Sequence, residues 1–193
     1  MPTLDVLVFW IAEFGILTFL IWACIYISTL SFSALKHAPF VPTRVSAKPV
    51  IARARPRKGQ TFIDLGSGDG RVVITAAKEF GLNAIGYEIN PVLIFLSKLR
   101  ARIAKTDVQF IRADLYDAGL CQRPALYRIH HQLPPIIYIF LLPRYMDHLG
   151  KKIIRSCPPG TVVISYGFVI PLLSDKLYTI LKGKPFPTYY YKL

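Results

Sequence analysis

The sequence predicts an α/β domain, a doubly wound and mostly parallel seven-stranded sheet with an antiparallel terminal strand, preceded by one transmembrane helix. Three observations lead there. From Thr61 onwards, short continuously apolar segments alternate with segments of helical periodicity, the pattern of a parallel sheet covered on both faces. A glycine-rich turn, Gly66-Ser67-Gly68-Asp69-Gly70, stands between the first apolar strand and the first helix. Finally, Phe14 to Leu35 is 22 residues without a charge. As a helix it would be about 33 Å long, which matches a hydrocarbon core of ~30 Å.

At the amino end, Val6 to Ala12 would extend the apolar run, interrupted by Glu13. An ionised side chain at mid-membrane costs on the order of 2.5–3.5 kcal/mol, so Glu13 is expected near the boundary or protonated. Trp10, Trp22 and Tyr26 suit interfacial or upper-core depths. A cleaved signal peptide needs a basic start, whereas this chain has Asp5 and Glu13 and no Lys or Arg before Lys36. Residues 1–36 therefore read as a retained single-pass anchor, 37–60 as a basic, Pro-rich juxtamembrane connector, and 61–193 as the α/β domain. Seven Lys or Arg and no acid fall between Lys36 and Lys58 (Lys36, Arg44, Lys48, Arg53, Arg55, Arg57, Lys58). The positive-inside rule puts the domain on the cytoplasmic side or its matrix equivalent. Juxtamembrane bases also attract anionic lipid; with the basic cluster beside the membrane and no recognised nucleic-acid module, the net charge of +13 is not read as nucleic-acid binding. Cys24, Cys121 and Cys157 are widely spaced and suggest no disulfide framework, and with His130 and His131 they make no metal-ligand spacing. No metal is expected.

The elements follow in order. Thr61 to Leu65 is the first strand and Arg71 to Phe80 the first helix. Asn83 to Tyr87 is the second strand, ending in Glu88. Pro91 to about Lys105 is a helix whose Val92, Phe95, Leu96, Leu99 and Ile103 form one apolar stripe, read as core. Val108 to Arg112, Ile136 to Leu142 and Thr161 to Tyr166 are further strands, with a helix from Pro143 to Ser156. Leu177 to Leu181 and Pro187 to Lys192 close the sheet without an intervening helix, as an antiparallel end requires.

The site is expected at the carboxyl ends of the strands, where open α/β sheets bind ligands. Asp64 sits near the end of the first strand, directly before the glycine turn. Glu88, 18 residues after Gly70, tips the second strand, where a carboxylate can accept both hydroxyls of a ribose. Asp114 follows the third. A dinucleotide fingerprint has glycines at positions one, three and six; here the third glycine comes one residue early and Arg71 takes the sixth place.

That spacing, with Asp64 before it, resembles motif I of the class I S-adenosylmethionine-dependent methyltransferases. From Pro39 onwards the chain is similar to one branch of them, the small membrane-anchored protein-lysine methyltransferases that modify the mitochondrial ATP synthase c subunit and the adenine nucleotide translocase, with their prokaryotic relatives. The segments carrying the resemblance are Ala38 to Thr43, Asp64 to Arg71, Gly86 to Pro91, Ile137 to Pro143 and Pro159 to Ser165. The resemblance implies a Rossmann-like methyltransferase sheet, S-adenosyl-L-methionine as cofactor, and a lysine acceptor in a membrane or membrane-proximal protein. It implies cofactor contacts from Asp64, Gly66, Ser67, Gly68, Gly70, Glu88, Ile89, Asp114 and Leu115. Asp64 would meet the methionine end and Asp114 the adenine. Two departures stand out. Residues Gly119 to Pro135, with Arg128, His130, His131 and Pro134-Pro135, replace an expected short helix and acid. The Asn-Pro-Pro-Tyr type motif of planar-nitrogen methyltransferases is absent after the fourth strand, which argues against nucleobase or glutamine-amide acceptors.

Methyl transfer is an in-line displacement in which positioning supplies most of the rate, and a lysine must first lose a proton. Tyr138, Tyr145 and Asp69 are the candidates for orienting the free amine, and the sequence singles out no general base among them. Two other readings keep the same fold. One is a lipid, quinone or isoprenoid at the bilayer; the other is a catalytically idle interaction module.

Overall fold

The computed structural model describes residues 4–35, 46–115, 120–121 and 133–193. The chain divides into two compact units, Met1–Phe40 and Val41–Leu193. In the first, α1 runs from Leu4 to Leu35. By length and composition its Leu4–Ser28 stretch, 25 residues, is apolar enough to cross a membrane. That stretch begins earlier than the run from Phe14 and contains Glu13 within it. Lys36 and Arg44 of the basic cluster, and the segment Ala38 to Thr43, lie outside the described residues.

The second unit opens with α2 (Ala47–Arg53), capped by Ser46, whose Oγ accepts from the Lys48 amide. It continues through β1 (Thr61–Leu65), α3 (Arg71–Phe80), β2 (Asn83–Glu88), α4 (Pro91–Ile103), β3 (Gln109–Arg112) and β4 (Ile136–Ile139). A short 3₁₀ turn, Pro143–Tyr145, leads into α5 (Met146–Ser156), and β5 (Val162–Tyr166) follows. A second 3₁₀ segment, Pro171–Lys176, precedes β6 (Leu177–Leu181) and β7 (Thr188–Lys192). The seven strands run in the order β3-β2-β1-β4-β5-β7-β6. β1 is parallel to β2 and β4, and β7 is antiparallel to both its neighbours. Strand order reverses between β1 and β4, and it is beside such a switch point that open sheets bind ligands.

Apolar side chains alternate across the sheet because successive strand residues point to opposite faces. Phe62, Ile136, Tyr138, Ile164 and Tyr190 bury against α2, α3 and α4. Ile63, Leu65, Ile137, Ile139, Val163 and Tyr191 bury against α5 and the 3₁₀ segments. α2, in the segment read from the sequence as connector, buries Val50 and Ile51 in the first layer, and Tyr190 Oη donates to the Val50 carbonyl at 2.9 Å.

Beyond an earlier end to β4, at Ile139 and not Leu142, the structure departs from the sequence expectation in two further places. The stripe on α4 is not core. Val92, Phe95, Leu99 and Ile103 are exposed, Leu96 is half-buried, and the helix packs through Leu93, Ile94, Ser97 and Ala101. The reason is the close approach of α4 to the glycine turn. A Cβ on Gly70 would lie 2.7 Å from Ser97 Cβ and 2.6 Å from Phe110 Cζ, so only small residues fit the facing side of α4 there. Cys121 and Cys157 are also joined as a disulfide, their Cα atoms 5.2 Å apart and 36 positions apart in sequence. No local spacing announces such a pair; it exists because the end of α5 returns to the segment following β3.

Candidate functional site

The site is assembled from the carboxyl ends of β1, β2 and β3. Asp64 pairs in register with Gly86 of β2 and Tyr138 of β4, and is only 2% exposed. Among the described residues no hydrogen-bond donor serves its carboxylate. Burial, and then the neighbouring Glu88 and Asp69 carboxylates, push its pKa well above the usual aspartate value. Ionising this group is therefore costly until a cation arrives.

The turn after β1 wraps over the end of β2. The amides of Gly66 and Ser67 both donate to the Tyr87 carbonyl at 2.9 Å, and the Gly70 amide closes back on the Ser67 carbonyl. Gly66, Gly68 and Gly70 all have positive φ, which a side chain would strain. Beneath the turn, Ser67 occupies the space left by Gly86, where a Cβ would come within 2.6 Å of Ser67 Oγ. That hydroxyl is buried and has no hydrogen-bond partner among the described residues.

Glu88 is held by main chain. Its Oε2 accepts from the Gly68 amide at 2.9 Å, and its Oε1 from the Ile89 and Asn90 amides at 2.9 and 2.8 Å. Burial raises its pKa, and the three amides pull the other way. A carboxylate offers about four acceptor sites, so one remains for a ligand hydroxyl after these three bonds. Asn90 then caps α4, its Oδ1 accepting from the Val92 amide.

The remaining sequence candidates separate. Asp114 and Leu115 follow β3, half-buried, and the Leu115 carbonyl accepts from Lys152 Nζ at 2.8 Å. Asp69 is buried beside two arginines. It pairs with Arg71 Nε at 2.8 Å and with Arg100 of α4. Tyr138 and Tyr145 are not brought together. Tyr138 stacks on Phe62 in the α2–α4 layer. Tyr145 lies in the opposite layer beneath the Arg144 guanidinium. Arg128, His130 and His131 fall outside the described residues. Among the described residues no group of His, Cys, Asp or Glu could hold a metal ion.

The sequence reading missed an aromatic group at the ends of β4 and β5. Tyr166 meets Phe140 edge-on at 4.9 Å and Phe186 at 6.0 Å, and Phe168 joins through Phe186. Tyr166 is buried, its hydroxyl has no partner among the described residues, and burial raises its pKa. Aromatic residues at the tips of neighbouring strands were the available signal.

Residues 64–176, more than half of the chain, match the ANTKMT methyltransferase domain. The chain is 36% identical over 134 residues to the Mus musculus lysine N-methyltransferase of the ATP synthase c subunit, covering 69% of this chain and 50% of that protein. It is 33% identical over 162 residues to the Mus musculus adenine nucleotide translocase lysine N-methyltransferase, covering 81% of this chain and 65% of that protein. Among solved structures, an RNA methyltransferase from Salinibacter ruber in complex with S-adenosyl-L-homocysteine superposes with a TM-score of 0.68 at 26% identity, over 79% of this chain and 93% of that one. The chain spans about half the length of the first of these relatives. With motif, sheet order and sequence in agreement, the chain belongs to the family of the ANTKMT methyltransferase domain.

Proposed function

We propose that the protein is a membrane-anchored, S-adenosylmethionine-dependent methyltransferase that methylates a lysine side chain of a membrane or membrane-proximal protein. One observation carries this reading. Asp64 is a buried carboxyl beside two others, without a donor among the described residues, and the ionised form of such a group is stabilised by a cationic ligand. The cofactor fits, because its methionine end bears an ammonium. When bound, it supplies an electrophilic methyl group on a sulfonium.

The chain's own residues do the rest. Asp64 binds the ammonium, and Gly66, Ser67, Gly68 and Gly70 form the cradle that admits the ligand to main chain. Glu88, oriented by three amides, holds the ribose, while Ile89, Asp114 and Leu115 flank the adenine. Asp69, tied to Arg71 and Arg100, fixes the turn against α4 and does not act on the acceptor. At the other half of the edge, Tyr166 joins Tyr138 and Tyr145 among the candidates, and we take it as the hydroxyl that orients the amine because it stands in the aromatic group at the strand ends. Its raised pKa keeps it neutral, so it acts by hydrogen bonding and not as a phenolate base. The aromatic rings around it keep water from the acceptor and favour the uncharged amine.

Membrane attachment is assigned to residues 1–36, followed by the 37–60 connector and the 61–193 domain on the cytoplasmic or matrix-equivalent side. The apolar Leu4–Ser28 stretch and the basic residues beyond it support it. The acceptor reading draws on the relatives, which are named for a c subunit and a translocase. Mass spectrometry of membrane proteins from cells with and without this chain tests it. A lysine whose mono-, di- or trimethylation depends on the chain is expected. A methyl group gained instead by an extractable lipid, a quinone or an RNA would overturn the lysine reading.

A further inference from the structure

The outward face of α4 sets that helix apart from its neighbours. α3 turns Arg71, Lys78 and Glu79 to solvent, and α5 turns Asp147, His148, Lys151 and Arg155 with a single large apolar residue, Ile154. α4 instead exposes Val92, Phe95, Leu99 and Ile103, with Phe95 at 68% and Ile103 at 74%. At 100° per residue the four fall within about a quarter turn of one another, directly opposite the side that packs on the sheet. Exposed apolar surface gathered in one stripe marks an interaction site.

We infer that this face of α4 is a docking surface for an anionic lipid bilayer. Its charges fit that occupant. α4 has no acidic residue, and Lys98, Arg102 and, just beyond its end, Lys105 are exposed along the stripe. The fourth base, Arg100, is occupied by Asp69. Apolar residues on one side with lysine and arginine beside them make an interfacial helix, one that lies in the headgroup region. A second copy of this chain fits less well, since pairing two such faces brings their cations together. The chain enters the domain through α2, which packs in the same layer as α3 and α4, so the connector joins the domain on the side that carries the stripe. The inference rests on the anchor reading and deepens it.

Docking has a consequence for the site. The stripe begins at Val92, two residues after Asn90, whose amide binds Glu88. A helix seated in the interface therefore holds the Glu88 end of the site at one height above the bilayer, and selects acceptor lysines near the membrane boundary.

The test uses the full chain in vesicles of phosphatidylcholine and phosphatidylglycerol with brominated acyl chains, which quench nearby tryptophan. The only native tryptophans are Trp10 and Trp22, so the unaltered protein reports α1 alone. A second protein, Trp10→Phe/Trp22→Phe/Phe95→Trp, carries one introduced indole and reports α4 alone. Both proteins are expected to be quenched, with about half of the introduced indole's emission lost, and less in pure phosphatidylcholine. Adding Leu99→Asp and Ile103→Asp at exposed positions should remove the quenching on α4 and leave cofactor affinity unchanged. Quenched native tryptophans with an unquenched indole on α4 would overturn the docking surface and leave the anchor intact. Unquenched native tryptophans would overturn both. An introduced indole shielded only as the chain self-associates would assign the face to a second copy and overturn the bilayer.

Discussion

The two halves of the sheet's carboxyl edge are built from different chemistry. At β1 and β2 the edge carries buried carboxylates and main-chain amides: Asp64, Glu88 and the turn between them. At β4 and β5 it carries aromatic rings and one hydroxyl: Phe140, Tyr166, Phe168 and Phe186. Under the proposed function, the difference follows from what each half would stabilise. A cationic, hydroxyl-bearing ligand needs fixed negative charge and acceptors, whereas an amine that must shed its proton needs a dry, weakly polar wall. One fold edge thus supplies opposite electrostatic environments within a few strands.

The largest effect is expected where the acidic half is broken. Glu88→Ala removes the carboxylate that three amides hold, and Gly68→Val forces a branched side chain into positive φ. Calorimetry on the full chain in detergent should show S-adenosylmethionine affinity falling about tenfold or more in both, the scale set by losing a hydrogen bond to a charged group. Unchanged affinity in both would remove the acidic half from the comparison.

Asp64→Asn separates function from stability. Because burial and two carboxylates raise the pKa of Asp64, part of the population stays protonated above the ordinary value of 3.8. Binding a cation requires the ionised form, so cofactor affinity should rise with pH above that value and a proton should be released. The stability linkage has the opposite sense. The contribution of this raised group is fully present below 3.8 and is lost as pH rises through its folded value. Asp64→Asn should therefore weaken binding, flatten its pH dependence and raise the unliganded melting temperature at neutral pH. A lowered melting temperature would mean that the charge is compensated in the free protein.

A smaller effect, confined to the other half, is expected from Tyr166→Phe. It keeps the ring contacts with Phe140 and Phe186 and removes only the hydroxyl. Methylation should slow by up to about tenfold, the scale of one neutral hydrogen bond, with cofactor affinity unchanged. Loss of cofactor affinity would show that the halves are not independent. Smallest of all is Tyr190→Phe, which breaks the bond to the Val50 carbonyl. It should cost about 1 kcal/mol of stability by thermal melting and leave both halves working.

The same contrast explains what could be read from the sequence. Asp64 and the glycine turn are contiguous in chain and space, because a strand, a tight turn and a helix start form one local unit, and Glu88 tips the next parallel strand, paired in register beside the first. The order of strands and helices through β7 was legible for a similar reason, since period and punctuation are local, although β4 ends at Ile139 and not at Leu142. The aromatic half was not, because Phe140, Tyr166 and Phe186 come from three segments joined only by the β4–β5–β7 pairing. The α4 stripe failed through a tertiary constraint. Helical periodicity finds an apolar face, but the clearance between Gly70 and Ser97 decides which face is buried. The Cys121–Cys157 pair was likewise set by a return of the chain that no spacing encodes.

The most direct measurement is transfer of label from methyl-radiolabelled S-adenosylmethionine to native membranes by the full chain, with the Glu88→Ala protein alongside. Protein, lipid and nucleic-acid fractions are separated, and the protein is hydrolysed to amino acids. Label recovered as methylated lysine with the native chain, and lost with Glu88→Ala, is the predicted result. Label in the lipid or nucleic-acid fraction, or label on lysine that does not depend on Glu88, would contradict the account.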